Sequence, residues 1–356
     1  MSEFVDPTER ILIGDRPVGP AHPPFVIAEM SGNHNGDLGR ARELVRAAGE
    51  AGADALKLQT YTADTITLDV DHPRFRLAED HPLWPGRRLY DLYEEAHTPW
   101  EWHEELFDLA RELGMVAFSA PFDPTAVDFL VSLGVPALKS ASSEITDLPL
   151  IRTMAATGLP LIISTGTATL GEIDAAVRAA RETGNEQIVV LSCTAAYPAP
   201  AEASNLRGIP MLAGALGTQI GLSDHPLGIG ASVAAVALGA TVIEKHLTLD
   251  PEDGGVDSAF SLSPEEFGRL VAETRTAHAA LGSATVGPRT AEREGLRFRR
   301  SLFVTRDVRA GEAVSADNVR SVRPADGLPP DTFAEIEGRV FREDVPMGTP
   351  MSHDLL

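Results

Sequence analysis

Eight short apolar segments recur between residues 25 and 247, and this repeat restricts the possible folds more than any other feature. Most of them are continuous rather than alternating, which is typical of parallel strands covered on their outer face. Helix-like segments lie between most of them, and a glycine then ends the helix, as Gly52 follows Leu38–Ala51. The eight segments are Phe25–Met30, Ala55–Thr60, Met115–Ala120, Ala137–Ser142, Leu161–Thr165, Ile188–Cys193, Gln219–Asp224 and Val242–Leu247.

This strand, loop, helix and glycine repeat predicts an α/β fold, a TIM (β/α)8 barrel over residues 25–281. An open, doubly wound sheet is the alternative, but it usually has fewer strands and one ligand loop at its switch point. Here polar residues follow nearly every strand. A barrel brings the carboxyl ends of all eight strands to one face, so this distribution favours the barrel.

The remaining segments predict three smaller parts of the chain. Residues 1–24 are rich in proline and are predicted to form an N-terminal cap segment. Residues 282–297 read as a linker, and residues 298–356 as a second compact unit. So short a unit holds little core alone, so we expect it to pack on the barrel or on a partner subunit. The long connection 61–98 is predicted to be functional, because it would lie over the mouth of the barrel.

Composition limits the partners and the location. The formal net charge of −22 argues against nucleic acid and anionic membranes, so any phosphate site needs local cations. No apolar run approaches the roughly 20 residues of a membrane span. The first ten residues lack the profile of a signal peptide, and the single cysteine, Cys193, cannot form an intrachain disulfide. We therefore expect a cytoplasmic protein that binds small molecules.

Two histidines follow neighbouring strands. His225 comes directly after the seventh apolar segment and His246 lies within the eighth, so their imidazoles can meet one cation at the barrel mouth. Two nitrogen ligands leave coordination positions open for water and substrate oxygens, as a Lewis-acid site requires. The alternative is that each histidine only makes hydrogen bonds at a strand end.

Two lysines lie inside apolar strands, where an unpaired charge is costly. Lys57 and Lys139 would be paired by a phosphate and a carboxylate of one substrate. They could instead pair with barrel carboxylates, or one of them could form a Schiff base. Hydroxyl groups at strand ends, together with Gly166, offer further donors for a phosphate; they belong to Ser142, Ser164, Thr165 and Ser223.

Three carboxylates at strand ends or in later loops could act as acid, base or sugar anchors. They are Glu29, Glu144 and Asp257. A buried glutamate beside a cation and a phosphate can have its pKa adjusted for proton transfer. A structural ion pair with a lysine is the alternative role.

Six segments together resemble the sialic acid synthase family, and residues 298–356 resemble its C-terminal antifreeze-like (SAF) domain. Within that family the closest resemblance is to the branch that makes pseudaminic acid. It rests on Tyr90–Tyr93, Glu95–His103, Pro121–Leu130 and Gly254–Ser261, and on Ala195 where neuraminate synthases carry asparagine. The six segments are Ile27–Glu29, Gly32–Gly36, Lys57–Thr60, Ser164–Gly166, Gly221–His225 and Glu244–His246.

The resemblance implies that phosphoenolpyruvate condenses with 2,4-diacetamido-2,4,6-trideoxy-L-altrose in its aldehyde form, with C–O cleavage and phosphate release. It implies a divalent cation (Mn²⁺, Mg²⁺ or Co²⁺) on His225 and His246. Glu144 matches the carboxylate that activates water. The resemblance also implies that Glu29 and Lys57 are catalytic residues. The positions that match phosphoenolpyruvate contacts are Lys57, Lys139, Ser142, Ser164 and Ser223, and those that match sugar contacts are Glu29, Gln59, Tyr197 and Asp257.

Arg323 matches an arginine that the SAF domain of the other subunit delivers to the sugar, which implies a domain-swapped homodimer.

Three alternative functions stay open. The chain could be an N-acetylneuraminate or legionaminate synthase that acts on another amino sugar. It could be a metal-free Schiff-base lyase, or a sugar-binding protein without activity.

Overall fold

The computed structural model describes residues 11–80 and 83–356. Residues 1–10 of the predicted cap segment lie outside the described residues. The rest of that segment contains an antiparallel hairpin of β1 (Ile11–Ile13) and β2 (Arg16–Val18). Ile13 and Val18 are fully buried in the same core as the barrel strands. Arg16 pairs with Asp54, directly before a barrel strand, so the hairpin covers the amino-terminal end of the barrel.

Eight parallel strands close into a barrel, which confirms the predicted fold class. Going around the barrel, the last strand in the chain pairs with the first, and all other neighbours are consecutive. The strands are β3 (Phe25–Glu29), β4 (Ala55–Thr60), β5 (Val116–Pro121), β6 (Leu138–Ser140), β7 (Leu161–Ser164), β8 (Ile188–Cys193), β9 (Gln219–Asp224) and β10 (Val242–His246).

Helices on the outside cover the strands and complete one apolar core with them. Local sequence sets their limits: Asp37 caps the start of α1, and Thr169 and Glu172 form a capping box at α7. Gly52 and Gly184 adopt φ of +82° and +87° after these two helices, a conformation that favours glycine. The main helices are α1 (Leu38–Glu50), α4 (His103–Glu112), α5 (Pro124–Ser132), α6 (Leu148–Ala156), α7 (Leu170–Arg181), α8 (Gly208–Leu216), α9 (Gly230–Ala237) and α10 (Pro264–Leu281).

The long connection after β4 is folded rather than extended. It contains α2 (Ala63–Ile66) and α3 (Leu89–Ala96), and its middle turns back on itself in a hairpin with an antiparallel bridge between Arg76 and Arg88. In the described parts of the chain, no helix is both long enough and apolar enough to cross a membrane.

Residues 283–356 form a second compact unit with its own small core. It contains α11 (Arg293–Leu296), α12 (Phe333–Ile336) and an antiparallel pair of β11 (Ser301–Val304) and β12 (Val319–Val322). The core residues that are buried most deeply include Leu302, Val304, Val319, Ile336 and Phe341. α11 lies within the segment predicted as a linker, directly after a 3-10 turn (Thr290–Glu292) in which the Glu292 carboxylate accepts from the Arg289 N–H.

Candidate active site

A charged cluster fills the carboxyl-terminal end of the barrel interior. The Nζ of Lys57 on β4 lies 2.5 Å from the Oε2 of Glu29 on β3 and 3.5 Å from the Oε1 of Glu244 on β10. None of the three residues is more than 5% exposed. The three ionisable groups are therefore shielded from bulk water. This arrangement is stable only because the groups pair with one another.

The pKa values in this cluster reflect burial and pairing. Burial raises the pKa of Glu29 to about 7, although the ammonium of Lys57 opposes the change. Burial lowers the pKa of Lys57, but the carboxylates of Glu244 and Glu29 outweigh it and leave that pKa above its ordinary value. Glu29 can therefore exchange a proton near neutral pH, while Lys57 stays charged.

The second lysine lies on the other side of Glu244. The Nζ of Lys139 donates to the Ser164 hydroxyl at 2.6 Å and lies 3.9 Å from the Oε1 of Glu244. Ser223 donates to the same oxygen at 3.4 Å. Burial lowers the pKa of Lys139, and Glu244 opposes this change. The structure thus brings Lys57, Lys139, Ser164 and Ser223 together around one carboxylate.

Glu244 was not among the residues predicted for the site. Its signal was present: Glu244 is two residues before His246 on the same strand, so both side chains point into the barrel. Lys245 between them points outward. Its Nζ donates at 3.0 Å to Asp224, whose side chain is also fully buried, and this pair joins β9 to β10 behind the histidines.

A tight loop follows β7, beside the two lysines. The Gly166 N–H donates to the Ser142 hydroxyl at 3.0 Å, and that hydroxyl donates to the sulfur of Cys193 at 3.4 Å. A Cβ at Gly166 would lie 2.7 Å from the Ser142 oxygen and 2.9 Å from the Cβ of Ala195. Only glycine allows this close approach. It brings the Gly166 N–H, the Ser142 hydroxyl and the Cys193 sulfur together beside the two lysines.

The two histidine rings lie 5.5 Å apart at the ends of β9 and β10. The Nδ1 of His225 donates to the Thr194 carbonyl at 2.9 Å, which leaves its Nε2 as the nitrogen with a free lone pair. The Nδ1 of His246 is buried and has no hydrogen-bond partner among the described residues. Burial, and then the neighbouring His225, holds the pKa of His246 well below its ordinary value. Burial lowers the pKa of His225, but its contact with the Cys193 thiol outweighs burial and leaves that pKa above its ordinary value. His246 therefore offers an unprotonated nitrogen, whereas the Nε2 of His225 can bind a cation only in the neutral form of the ring.

The pair is not part of a larger ligand cluster. Within residues 11–80 and 83–356, no three His, Cys, Asp or Glu side chains gather as a metal-binding group. His34, within the Gly32–Gly36 segment, makes other contacts: its Nδ1 accepts from the Gly36 N–H at 3.0 Å, and its Nε2 lies 3.3 Å from the Thr98 hydroxyl. These contacts are those of a residue that stabilises the tight loop after β3.

A chain of polar groups leads from the charged cluster toward solvent. The Nε2 of Gln59 donates to Glu29 and to Ser31, each at 3.0 Å, and the Ser31 hydroxyl donates to Asp257. Ser31, Gln59 and Asp257, with Tyr197 and His246, line a cavity of about 270 Å³ at the barrel mouth. The Tyr197 ring lies 4.6 Å from the ring of His225. Gln59, Tyr197 and Asp257, which match sugar contacts, therefore share one cavity.

Glu144 lies in a 3-10 turn after β6 and is half-buried. Its Oε2 is buried without a hydrogen-bond partner in the described structure, and burial raises its pKa. Lys139 is close enough to oppose this change. Glu144 is thus a carboxyl group beside the lysine cluster whose pKa has moved toward neutrality.

Arg323 lies in the second unit, directly after β12, and is exposed. Its predicted contact with a sugar involves another subunit.

Comparison with known proteins places this geometry in a family. The NeuB family model matches residues 44–286, and the SAF domain model matches residues 299–356. The chain is 42% identical to the pseudaminic acid synthase of Campylobacter jejuni over 91% of this chain and 94% of that protein. It is 37% identical to the N,N'-diacetyllegionaminic acid synthase of Legionella pneumophila, over 97% and 98% of the two chains.

Among solved structures, the N-acetylneuraminic acid synthetase of Leptospira borgpetersenii superposes with a TM-score of 0.72. The two chains are 32% identical, and the match covers 82% of this chain and 96% of that one. The family model alone spans more than half of the chain, and its matched range contains Lys57, Lys139, His225 and His246. The chain therefore belongs to the NeuB family and ends in a SAF domain.

Proposed function

We propose that this chain condenses phosphoenolpyruvate with 2,4-diacetamido-2,4,6-trideoxy-L-altrose to form pseudaminic acid, a nine-carbon nonulosonic acid. The observation that carries the proposal is the buried pair of Lys57 and Lys139 around Glu244, next to two histidines with available lone pairs. Identity of 41–42% to pseudaminic acid synthases from two genera supports the choice of sugar.

Phosphoenolpyruvate carries a phosphate and a carboxylate, and this acidic chain has few places to hold them. Lys57 and Lys139 would supply the positive charge, and the hydroxyls of Ser142, Ser164 and Ser223 would supply neutral donors. Charge-assisted hydrogen bonds of this kind are about twice as strong as neutral ones. Because the site is buried, the ammonium groups act in a low dielectric, where they hold an anion more firmly than surface lysines do.

His225 and His246 fit a divalent cation, because one has its Nδ1 bound to a carbonyl and the other has a buried nitrogen with no partner among the described residues. Mn²⁺, Mg²⁺ or Co²⁺ are the candidates. When bound, such a cation supplies Lewis-acid polarisation of the aldehyde oxygen of the sugar. A hydrogen bond from His225 to Thr194 would fix the orientation of the ring in advance.

The reaction then needs one new C–C bond and one broken C–O bond. The enol carbon of phosphoenolpyruvate attacks the aldehyde carbon, water adds to the cationic carbon that results, and phosphate leaves. Glu144 would take the proton from that water, since burial has raised its pKa toward neutrality. Glu29, with its pKa raised to about 7, would give a proton to the former aldehyde oxygen.

We further propose a cytoplasmic homodimer in which Arg323 of one SAF domain reaches the sugar in the barrel of the other subunit. Mixing Arg323→Ala subunits with His246→Ala subunits tests the exchange. Each variant alone should be impaired, whereas mixed dimers should regain activity at one site. If mixing restores nothing while size measurements confirm mixed dimers, Arg323 acts within its own subunit or not at all.

The test of the reaction is phosphate release from phosphoenolpyruvate with a panel of amino sugars. We expect turnover with the 2,4-diacetamido-trideoxy altrose. Turnover of N-acetylmannosamine or of the legionaminic acid precursor alone would assign the chain to another branch of the family. Covalent trapping of Lys57 or Lys139 by borohydride, with activity that survives EDTA, would indicate a Schiff-base lyase.

A further inference from the structure

The cavity at the barrel mouth has two unlike sides. The side next to the strands is polar and consists of Ser31, Gln59, Tyr197, His246 and Asp257. The opposite side comes from the long connection after β4. We call its apolar side chains the apolar wall; they belong to Leu77, Trp84, Leu89 and Leu92, and Tyr61 and Tyr93 of the same connection also line the cavity. Such a cavity fits a ligand with a polar end and an apolar end.

The connection that carries the apolar wall is held in place by its own contacts. The Leu77 N–H donates to the Arg87 carbonyl at 2.9 Å, which closes the hairpin. The guanidinium of Arg88, directly before α3, lies 3.0 Å from the carboxylate of Asp69. Leu92 is only 6% exposed and anchors α3 against the rest of the unit. These contacts hold the residues of the apolar wall in defined positions.

We infer that the apolar wall is a specificity element that selects a methyl group, in place of a hydroxymethyl group, at the end of the sugar remote from the aldehyde. This inference rests on the proposed function. The aldehyde carbon must lie near His246 and Gln59, at the strand ends, so the last carbon of an open-chain hexose extends toward the connection. A hydroxyl group packed against the leucine side chains would lose its hydrogen bonds to water.

The expected size of this selection follows from the chemistry of apolar pockets. Such a pocket rejects a ligand that carries an extra hydroxyl by up to about 100-fold, because water or a small shift relieves part of the cost. We expect the enzyme to prefer the 6-deoxy sugar over its 6-hydroxy counterpart by about 10–100-fold in kcat/KM. A wall position that offers a hydrogen bond should reduce this ratio.

The test compares 2,4-diacetamido-2,4,6-trideoxy-L-altrose with the same sugar that retains its 6-hydroxyl. Leu89→Gln and Leu77→Gln each place an amide on a half-buried part of the wall, and Leu89→Met keeps that position apolar. Leu68→Gln is the matched control, because Leu68 lies in the same connection, is 62% exposed and does not line the cavity. Phosphate release gives kcat/KM, and calorimetric titration gives the affinity for each sugar without turnover.

We expect either glutamine variant to lower the ratio of kcat/KM for the two sugars by about tenfold, while Leu89→Met and Leu68→Gln keep the wild-type ratio. A ratio near one in the wild type, or an unchanged ratio in both glutamine variants, overturns the inference and leaves the reaction standing. If neither sugar is turned over, the proposed reaction fails. The titration then still decides whether the wall prefers the 6-deoxy sugar and whether Leu89→Gln weakens that preference.

Discussion

Replacement of Gly166 by alanine isolates the role of the loop after β7. The added methyl would lie 2.7 Å from the Ser142 oxygen and 2.9 Å from the Cβ of Ala195, closer than packed atoms allow. The backbone of Gly166 is not in the left-handed region, so alanine meets only this steric conflict. Ser142 must therefore move, and the 3.0 Å hydrogen bond that it accepts from the Gly166 N–H weakens or breaks.

The magnitude has two parts. Forcing one methyl into a packed site costs about 1–3 kcal/mol of stability. If Ser142 and this loop hold an anionic group of phosphoenolpyruvate, a lost hydrogen bond to a charged group costs about 1.5–3 kcal/mol more in binding. That loss corresponds to a rise of about 10–100-fold in KM for phosphoenolpyruvate, since 1.4 kcal/mol is tenfold. The KM for the sugar should change less, because the cavity lined by Gln59, Tyr197 and Asp257 includes neither Ser142 nor Gly166 in its lining.

The assay is phosphate release with each substrate varied in turn, together with urea denaturation. Gly171→Ala is the control: it follows the same strand, lies in α7, and a Cβ there has no atom within 4 Å. Alanine in that helix should stabilise the protein by up to about 1 kcal/mol and leave both KM values unchanged. An unchanged KM for phosphoenolpyruvate in Gly166→Ala would refute the assignment of this loop to that substrate, whatever happens to stability.

Three further outcomes follow from the site. Lys245→Met leaves the carboxylate of Asp224 buried and unpaired, so urea denaturation should show a loss of about 3–5 kcal/mol. His246→Ala should strongly reduce turnover, and calorimetry should show weakened binding of Mn²⁺, Mg²⁺ or Co²⁺; a metal affinity equal to that of the wild type would contradict the ligand role. Because burial raises the pKa of Glu29 to about 7, the folded protein binds this proton more tightly than the unfolded chain does. Stability should therefore fall as pH rises from about 4.5 to 7, and Glu29→Gln should lose this part of the pH dependence; identical urea titrations at each pH would contradict it.

Some properties follow from local sequence. Continuous apolar segments, and the glycines that end the helices between them, predicted the eight strands, and the structure has a strand at each of them. Differences at the ends are small and local: the fourth segment was predicted as Ala137–Ser142, but β6 covers Leu138–Ser140 because Ser142 begins a 3-10 turn. The predicted helix Leu38–Ala51 is likewise observed as α1 over Leu38–Glu50.

By itself the sequence determined the barrel and the two histidines at the ends of adjacent strands, because both depend on periodicity and on the order of strands. Only the tertiary structure showed that Glu244 lies between Lys57 and Lys139, since such a contact depends on how eight strands are staggered around a closed barrel. The same holds for the apolar wall. Leu77 and Leu92 have no local pattern that directs them to a cavity, and only the folding of the connection over the barrel mouth brings them there.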